Sequence, residues 1–410
     1  MKNIRILILI GVLMASVVMM AKTRKALFII LDGIPADCIE RLAPPTIMDI
    51  AHDGHYKRAL CGGEIDMYSQ TPTISAIGYT NILTGTWMNK HNVKGNSNIQ
   101  INYSYWNIFR IAKNQGRPVK TAIYSSWTDN RLILLGEGRP EAGNLKVDYA
   151  YDGYDLDTVH YPHKPIELHV FDYDKRVTAE AAKSIREESP DLSWLYMWYT
   201  DDAFHKKGGG SYADTYIMKA DSMLANVWKA VKYREKKYQE EWLVIVTTDH
   251  GRKVDGFSHG GQTERERTIW ISTNLKDVND HFFEPTLSQV DINPTICQWM
   301  GFSVPQPVAF EQDGMSFYSR QDMTNLYATK YDNHVVLTWK PYSPSTYAAI
   351  YATPTNNYAT GGADVWKKIG TVKVSEGSFV VDMTRLPKSK FYKFEVATPD
   401  SHLTRWWYAR

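Results

Sequence analysis

The 410-residue chain is predicted to be α/β: a mostly parallel central sheet flanked by helices, followed by a small C-terminal β-sandwich. Three observations predict it. Three short, continuous apolar runs are each followed directly by an aspartate, as strands buried on both faces of a parallel sheet would be. A long segment with helical apolar spacing lies between two of these runs, and alternating strands and helices imply an α/β sheet. After Phe317 the pattern changes to alternating apolar and polar residues punctuated by Pro, Gly, Asn and Ser.

The elements follow in order. Residues 1–21 open with Lys2 and Arg5, continue through an apolar run and end in small residues between Ala15 and Ala21. That is the order of a secretory signal peptide, with a retained anchor as the alternative because the run is near the lower limit for crossing a bilayer. Either way the body is expected in the periplasm or outside the cell. Cys38, Cys61 and Cys297 are too few and too scattered to staple the fold, so they read as small buried apolar residues. Formal net charge is +2 with both signs interspersed, which gives no reason to expect a nucleic-acid partner.

The first strand is Ala26–Leu31, "ALFIIL", ending at Asp32 and Gly33. Next, "SAIGYTNILT" reads as a short helix that starts at Ser75 after an extended Thr-Pro-Thr stretch and is closed by Gly85. The second strand is Trp194–Thr200, ahead of Asp201, and the third is Trp242–Thr248, ahead of Asp249. Between these two, residues 212–237 repeat apolar side chains every three or four positions, as a helix packed on a sheet does. The sandwich is expected over residues 326–410, preceded by a domain over residues 22–320. Its "LTW" and "YKFEVA" segments resemble strands of a fibronectin type III module.

In an open α/β sheet, ligands gather beyond the carboxyl ends of the strands. Here three strands deliver Asp32, Asp201 and Asp249 to that edge. His250 is adjacent to Asp249, His259 follows on a glycine-flanked loop, and His205 lies four residues after Asp201, on one helical face or in a tight loop. One such acid is usually a helix N-cap. Three carboxylates and three imidazoles together are the donor set of zinc or a similar divalent ion, and six ligands suffice for two ions. Ser75, at a helix N-terminus, faces free backbone N–H groups and is a candidate nucleophile, with Thr73 as the alternative.

In the order "ILDG", "SAIGYTNILTG", Asp-x-x-x-His, "TTDHG" and a later His-Gly, the chain resembles the alkaline phosphatase superfamily, and within it the nucleotide pyrophosphatase/phosphodiesterases. The resemblance covers about residues 25–320, ending at "DGMSF". It implies that Ser75, ten residues before Gly85, is the nucleophile. Asp32, Asp249 and His250 would hold one zinc ion with the Ser75 oxygen, and Asp201, His205 and His259 the other. It further implies that Asn96, with the N–H after Ser75, holds a phosphate oxygen, and that the reaction passes through a phosphoseryl intermediate released by water.

Two residues depart from the family. Serine stands where threonine is usual, and Ala76 where a base-stacking phenylalanine is frequent, which bears on nucleotide preference. Other aromatics, such as Tyr79, Trp87, Tyr105 or Trp106, could line a leaving-group pocket instead, while most of the 13 tryptophans read as packing. Sulfatases share the frame from Leu83 to Val93 but require a modified residue followed by Pro and Arg, which "SAIGY" lacks. The expectation is therefore a secreted two-metal phosphodiesterase acting on a small-molecule, lipid or glycan phosphate ester. The alternatives are a phosphomonoesterase, disfavoured because no arginine lies near Ser75 in sequence, and a non-catalytic surface binding protein.

Overall fold

The computed structural model describes residues 22–409, so the signal peptide or anchor expected over residues 1–21 lies outside the described residues. Seven strands form the main sheet: β1 (Thr23–Leu31), β2 (His55–Leu60), β3 (Thr121–Ser125), β4 (Tyr149–Tyr151), β5 (Leu192–Met197), β6 (Glu240–Thr247) and β7 (Thr268–Thr273). Their order is β2-β7-β6-β1-β5-β3-β4. β1 pairs in parallel with both β5 and β6, while β7 runs antiparallel to its neighbours β6 and β2. The sheet is thus mostly parallel, with β7 reversed.

The continuous apolar runs arise because both faces are covered. Along β1, Ala26, Phe28 and Ile30 enter one core with Trp194, Tyr196, Leu243 and Ile245. The alternate residues Leu27, Ile29 and Leu31 enter a second core with Leu195, Met197, Val244 and Val246. A period of two splits each strand evenly between the layers. The helix Ser75–Thr84 supplies the first core, and the long helices Leu168–Glu187 and Ser211–Lys237 supply the second. Among the described residues, no helix is long and apolar enough to cross a membrane. All three cysteines are buried and unpaired.

Seven further strands follow: β8 (Met323–Tyr331), β9 (His334–Pro341), β10 (Tyr347–Thr353), β11 (Lys367–Lys373), β12 (Ser378–Asp382), β13 (Phe391–Ala397) and β14 (His402–Tyr408). They form antiparallel sheets of order β12-β9-β8 and β11-β10-β13-β14. Val335, Leu337 and Trp339 of one sheet share a core with Ile350, Phe394 and Val396 of the other, which makes the pair a small sandwich.

For the site, the important fact is adjacency. The three strands that precede the aspartates stand side by side as β6-β1-β5, all parallel, so their carboxyl ends share one edge.

Candidate active site

Asp32 follows β1 directly. Both Tyr79 and Tyr196 donate their hydroxyls to Asp32 Oδ2, the latter at 2.7 Å, while Oδ1 is buried with no hydrogen-bond partner. Asp249 follows β6. Its Oδ1 accepts the Gly33 N–H at 2.9 Å, and its Oδ2 is likewise buried without a partner. Gly33 occupies the left-handed region at φ +65°, and a Cβ there would lie 2.4 Å from Arg252 Nη2, so the turn after β1 requires glycine.

His250 donates from Nδ1 to the carbonyl of Gly251 at 2.9 Å, which leaves Nε2 as the ring's acceptor. That Nε2 stands 3.2 Å from Asp249 Oδ2, 3.6 Å from Asp32 Oδ1 and 3.3 Å from Ser75 Oγ. Burial, reinforced by the charge of Asp32, holds the Asp249 carboxyl well above its usual range, and burial pushes His250 down. Two carboxylate oxygens and an imidazole nitrogen aimed at one buried point are the donor set that a divalent cation requires.

The second cluster is more open. The run Trp194–Thr200 ends as strand at Met197, so Asp201 is not at a strand terminus but in the first turn of the helix Tyr199–Lys207. This puts His205 one turn on, with Nε2 3.2 Å from Asp201 Oδ2 and 3.2 Å from His259 Nε2. His259 donates from Nδ1 to the Thr73 carbonyl at 2.8 Å, and burial together with His250 pushes its pKa down to about 2. The rings of His250 and His259 stack at 3.7 Å and join the two clusters. Donor atoms of Asp32, Asp249 and His250 lie within 4.8 Å of one another, as do those of Asp201, His250 and His259. His205 reaches the second group through its contacts with Asp201 and His259.

Ser75 is the first residue of its helix, with Ile74 rather than the serine at the N-cap, so its hydroxyl is not spent on capping. Thr73, the other hydroxyl considered, donates to the Gly261 carbonyl at 2.9 Å and accepts the Gly260 N–H at 3.0 Å, which binds it into the His259 loop. Asn96 Oδ1 accepts the Ala76 N–H at 2.9 Å. The backbone donor expected to hold a phosphate oxygen is therefore engaged by Asn96 Oδ1.

Several side chains differ from expectation. Tyr79 does not line a leaving-group pocket; it is buried and braces Asp32. Tyr105 is buried edge-on against Tyr358 of the sandwich, Trp87 borders a cavity on the sandwich side, and Trp106 lies under Arg110. The residue missed from sequence is Arg252. It is fully buried and pairs its Nη2 with the Asp201 carboxylate, so the cluster's three carboxylates share their environment with a guanidinium. Its only signal is its position, directly after the Asp-His-Gly turn.

A family model described as type I phosphodiesterase / nucleotide pyrophosphatase matches residues 26–255, more than half of the chain. The GPI ethanolamine phosphate transferase 2 of Schizosaccharomyces pombe (strain 972 / ATCC 24843) is 25% identical to this chain. That match covers 31% of this chain and 18% of the relative, well under its full length. A Bacteroides thetaiotaomicron VPI-5482 protein assigned to the sulfatases superposes with a TM-score of 0.52. It is 11% identical, and the match covers 89% of this chain and 86% of that one, a likeness of fold. Murine ectonucleotide pyrophosphatase/phosphodiesterase 5 gives a TM-score of 0.47 at 12% identity, covering 69% of this chain and 96% of that one.

Proposed function

Because the chain belongs to the type I phosphodiesterase / nucleotide pyrophosphatase family, we propose that it is an exported, two-metal phosphodiesterase that uses Ser75 as its nucleophile. The observation that carries this is the buried Ser75 hydroxyl, 3.3 Å from His250 Nε2, which itself stands 3.6 Å and 3.2 Å from the Asp32 and Asp249 carboxylate oxygens that are buried without a hydrogen-bond partner among the described residues. Asp32, Asp249, His250 and Ser75 would hold one divalent ion and Asp201, His205 and His259 a second, with zinc the best match to mixed imidazole and carboxylate donors. Such ions supply Lewis acidity, lowering the pKa of a hydroxyl and neutralising charge on phosphoryl oxygens.

The chain's own residues do the rest. The helix N-terminus presents Ser75 Oγ for in-line attack on phosphorus, and the P–O bond to the leaving alcohol breaks as the bond to Ser75 forms. Water then attacks the phosphoserine, and Oγ departs with its proton restored. Asn96, fixed through Oδ1 by the Ala76 N–H, offers its amide NH2 to a non-bridging oxygen.

A diester is favoured over a monoester because, among the described residues, no free cation stands at the site for a second phosphate charge. Arg252 is buried, and its donors go to the carbonyls of Gly33, Asp201 and Phe257 and to the Asp201 carboxylate. Export rests on the character of residues 1–21. Division into a catalytic domain over 22–320 and a fibronectin type III-like sandwich over 326–410 is supported by the split of seven antiparallel strands into sheets of three and four.

The test is Ser75→Ala with bis-nitrophenyl phosphate and nitrophenyl phosphate as substrates. Diester hydrolysis should fall by about 10⁴-fold or more while bound metal is retained. Undiminished turnover would remove Ser75 from the reaction, and preference for the monoester in the wild type would favour the phosphomonoesterase alternative.

A further inference from the structure

Outside the candidate active site, the segment entering the helix Leu168–Glu187 gathers another set of metal-competent side chains. One donor atom each of His163, Glu167 and His169 lies within 4.8 Å of both others. His169 is buried, with Nε2 3.6 Å from Glu167 Oε2, and its ring meets that of His163 edge-on at 4.6 Å. The other Glu167 oxygen, Oε1, is held by Lys206 Nζ at 3.1 Å, so the carboxylate is oriented and Oε2 is left toward the imidazoles.

The backbone here is strained in a way the proposed chemistry does not use. Ile166 and Glu167 both adopt the left-handed region, at φ 51° and 55°, although neither is glycine and Ile166 is β-branched. Such a conformation persists only where surrounding contacts impose it. One of these contacts is the Tyr199 hydroxyl, which donates to the Ile166 carbonyl at 3.0 Å. The reversal keeps a Glu167 carboxylate oxygen within 4.8 Å of a ring nitrogen of each histidine.

We propose that His163, Glu167 and His169 form a third divalent-metal site, of zinc type, that fastens this segment to the start of the helix Leu168–Glu187. Two imidazoles and one carboxylate are a common three-ligand zinc set, with the remaining position left for water. Binding at His169 Nε2 places the ring proton on Nδ1 and gives up the 3.3 Å hydrogen bond that Lys164 N–H donates there. The site shares no residue with the candidate active site.

The experiment compares untagged wild-type protein with His163→Ala and Glu167→Gln, each stripped with a chelator and then equilibrated with zinc. His163 is exposed, so its removal leaves folding intact, and Glu167→Gln keeps the shape while removing the charge. Elemental analysis should find one zinc equivalent fewer in each variant than in the wild type, and zinc should raise the melting temperature of the wild type more than that of the variants. Equal zinc content in all three proteins overturns the proposal. The readout is a difference, so it stands whether or not the Asp32 and Asp201 clusters hold metal.

Discussion

Arg252 ties three separate pieces of the site together. Its Nε donates to the Gly33 carbonyl at 2.8 Å, its Nη2 to Asp201 at both carboxylate and carbonyl, and its Nη1 to the Phe257 carbonyl at 3.3 Å. A buried guanidinium is tolerated only when paired and fully hydrogen-bonded, and burial still pulls its pKa down to about 10. The sequence offered no way to tell it from the solvent-exposed Lys253 beside it, since its ion partner is 51 positions away. Lysine cannot reproduce the fork of contacts. Arg252→Lys is therefore expected to loosen Asp201 and weaken zinc binding at the proposed Asp201–His205–His259 site by about 10- to 100-fold, while the proposed Asp32–Asp249–His250 site keeps its affinity. Zinc titration resolving a tight and a weak class would show this, and a uniform loss in both classes would contradict it.

The helix Ser75–Thr84 is buried at every residue, and its position is set by the absence of a side chain at Gly78. A Cβ there would lie 2.8 Å from the Asp249 carbonyl oxygen and 2.9 Å from Asp249 Cβ. Glycine lets the first turn press onto the turn after β6, which brings Ser75 Oγ to His250. Gly78→Ala should cost about 1–3 kcal/mol of stability through overpacking. It should also lower turnover by about 10²-fold through displacement of the proposed nucleophile, Ser75, with bound metal unchanged. Steady-state kinetics beside metal analysis and denaturant unfolding would separate these effects. At this scale much was legible. The ends of β1 and β6, the Ser75 helix and its Gly85 stop are local patterns, and Asp201 and His205 fall on one helical face because their spacing is local too, although β5 stops three residues short of the expected Thr200. The hydroxyls of Tyr79 and Tyr196 on Asp32 were not legible, because nothing in either residue's neighbourhood says where its ring will point once two distant strands and a helix have packed.

Over the whole molecule, the sandwich is joined to the α/β part by charges that in sequence look like solvated surface. Arg405 places its fork on Glu64 at 2.7 Å for both contacts, and Trp406 stacks on Tyr68 at 5.8 Å. Lys393, on β13, is buried and contacts Glu311 from the α/β side and Asp364 from the sandwich, the latter at 2.7 Å. Partners so far apart in the chain carry no periodic signal, so the change of pattern after Phe317 was readable while the seam itself was not. Burying a lysine between two carboxylates makes the seam unforgiving: removing the cation leaves both acids desolvated and repelling one another. Lys393→Met is therefore expected to destabilise the protein by about 3–5 kcal/mol. The loss should be concentrated where the two parts meet, so a single unfolding transition in the wild type should split into two in the variant, the sandwich leaving first. Susceptibility of the sandwich to limited proteolysis should rise in the earlier transition, while phosphodiesterase activity should persist until the later one. A single, merely shifted transition for both signals would mean that the two parts stay coupled without Lys393.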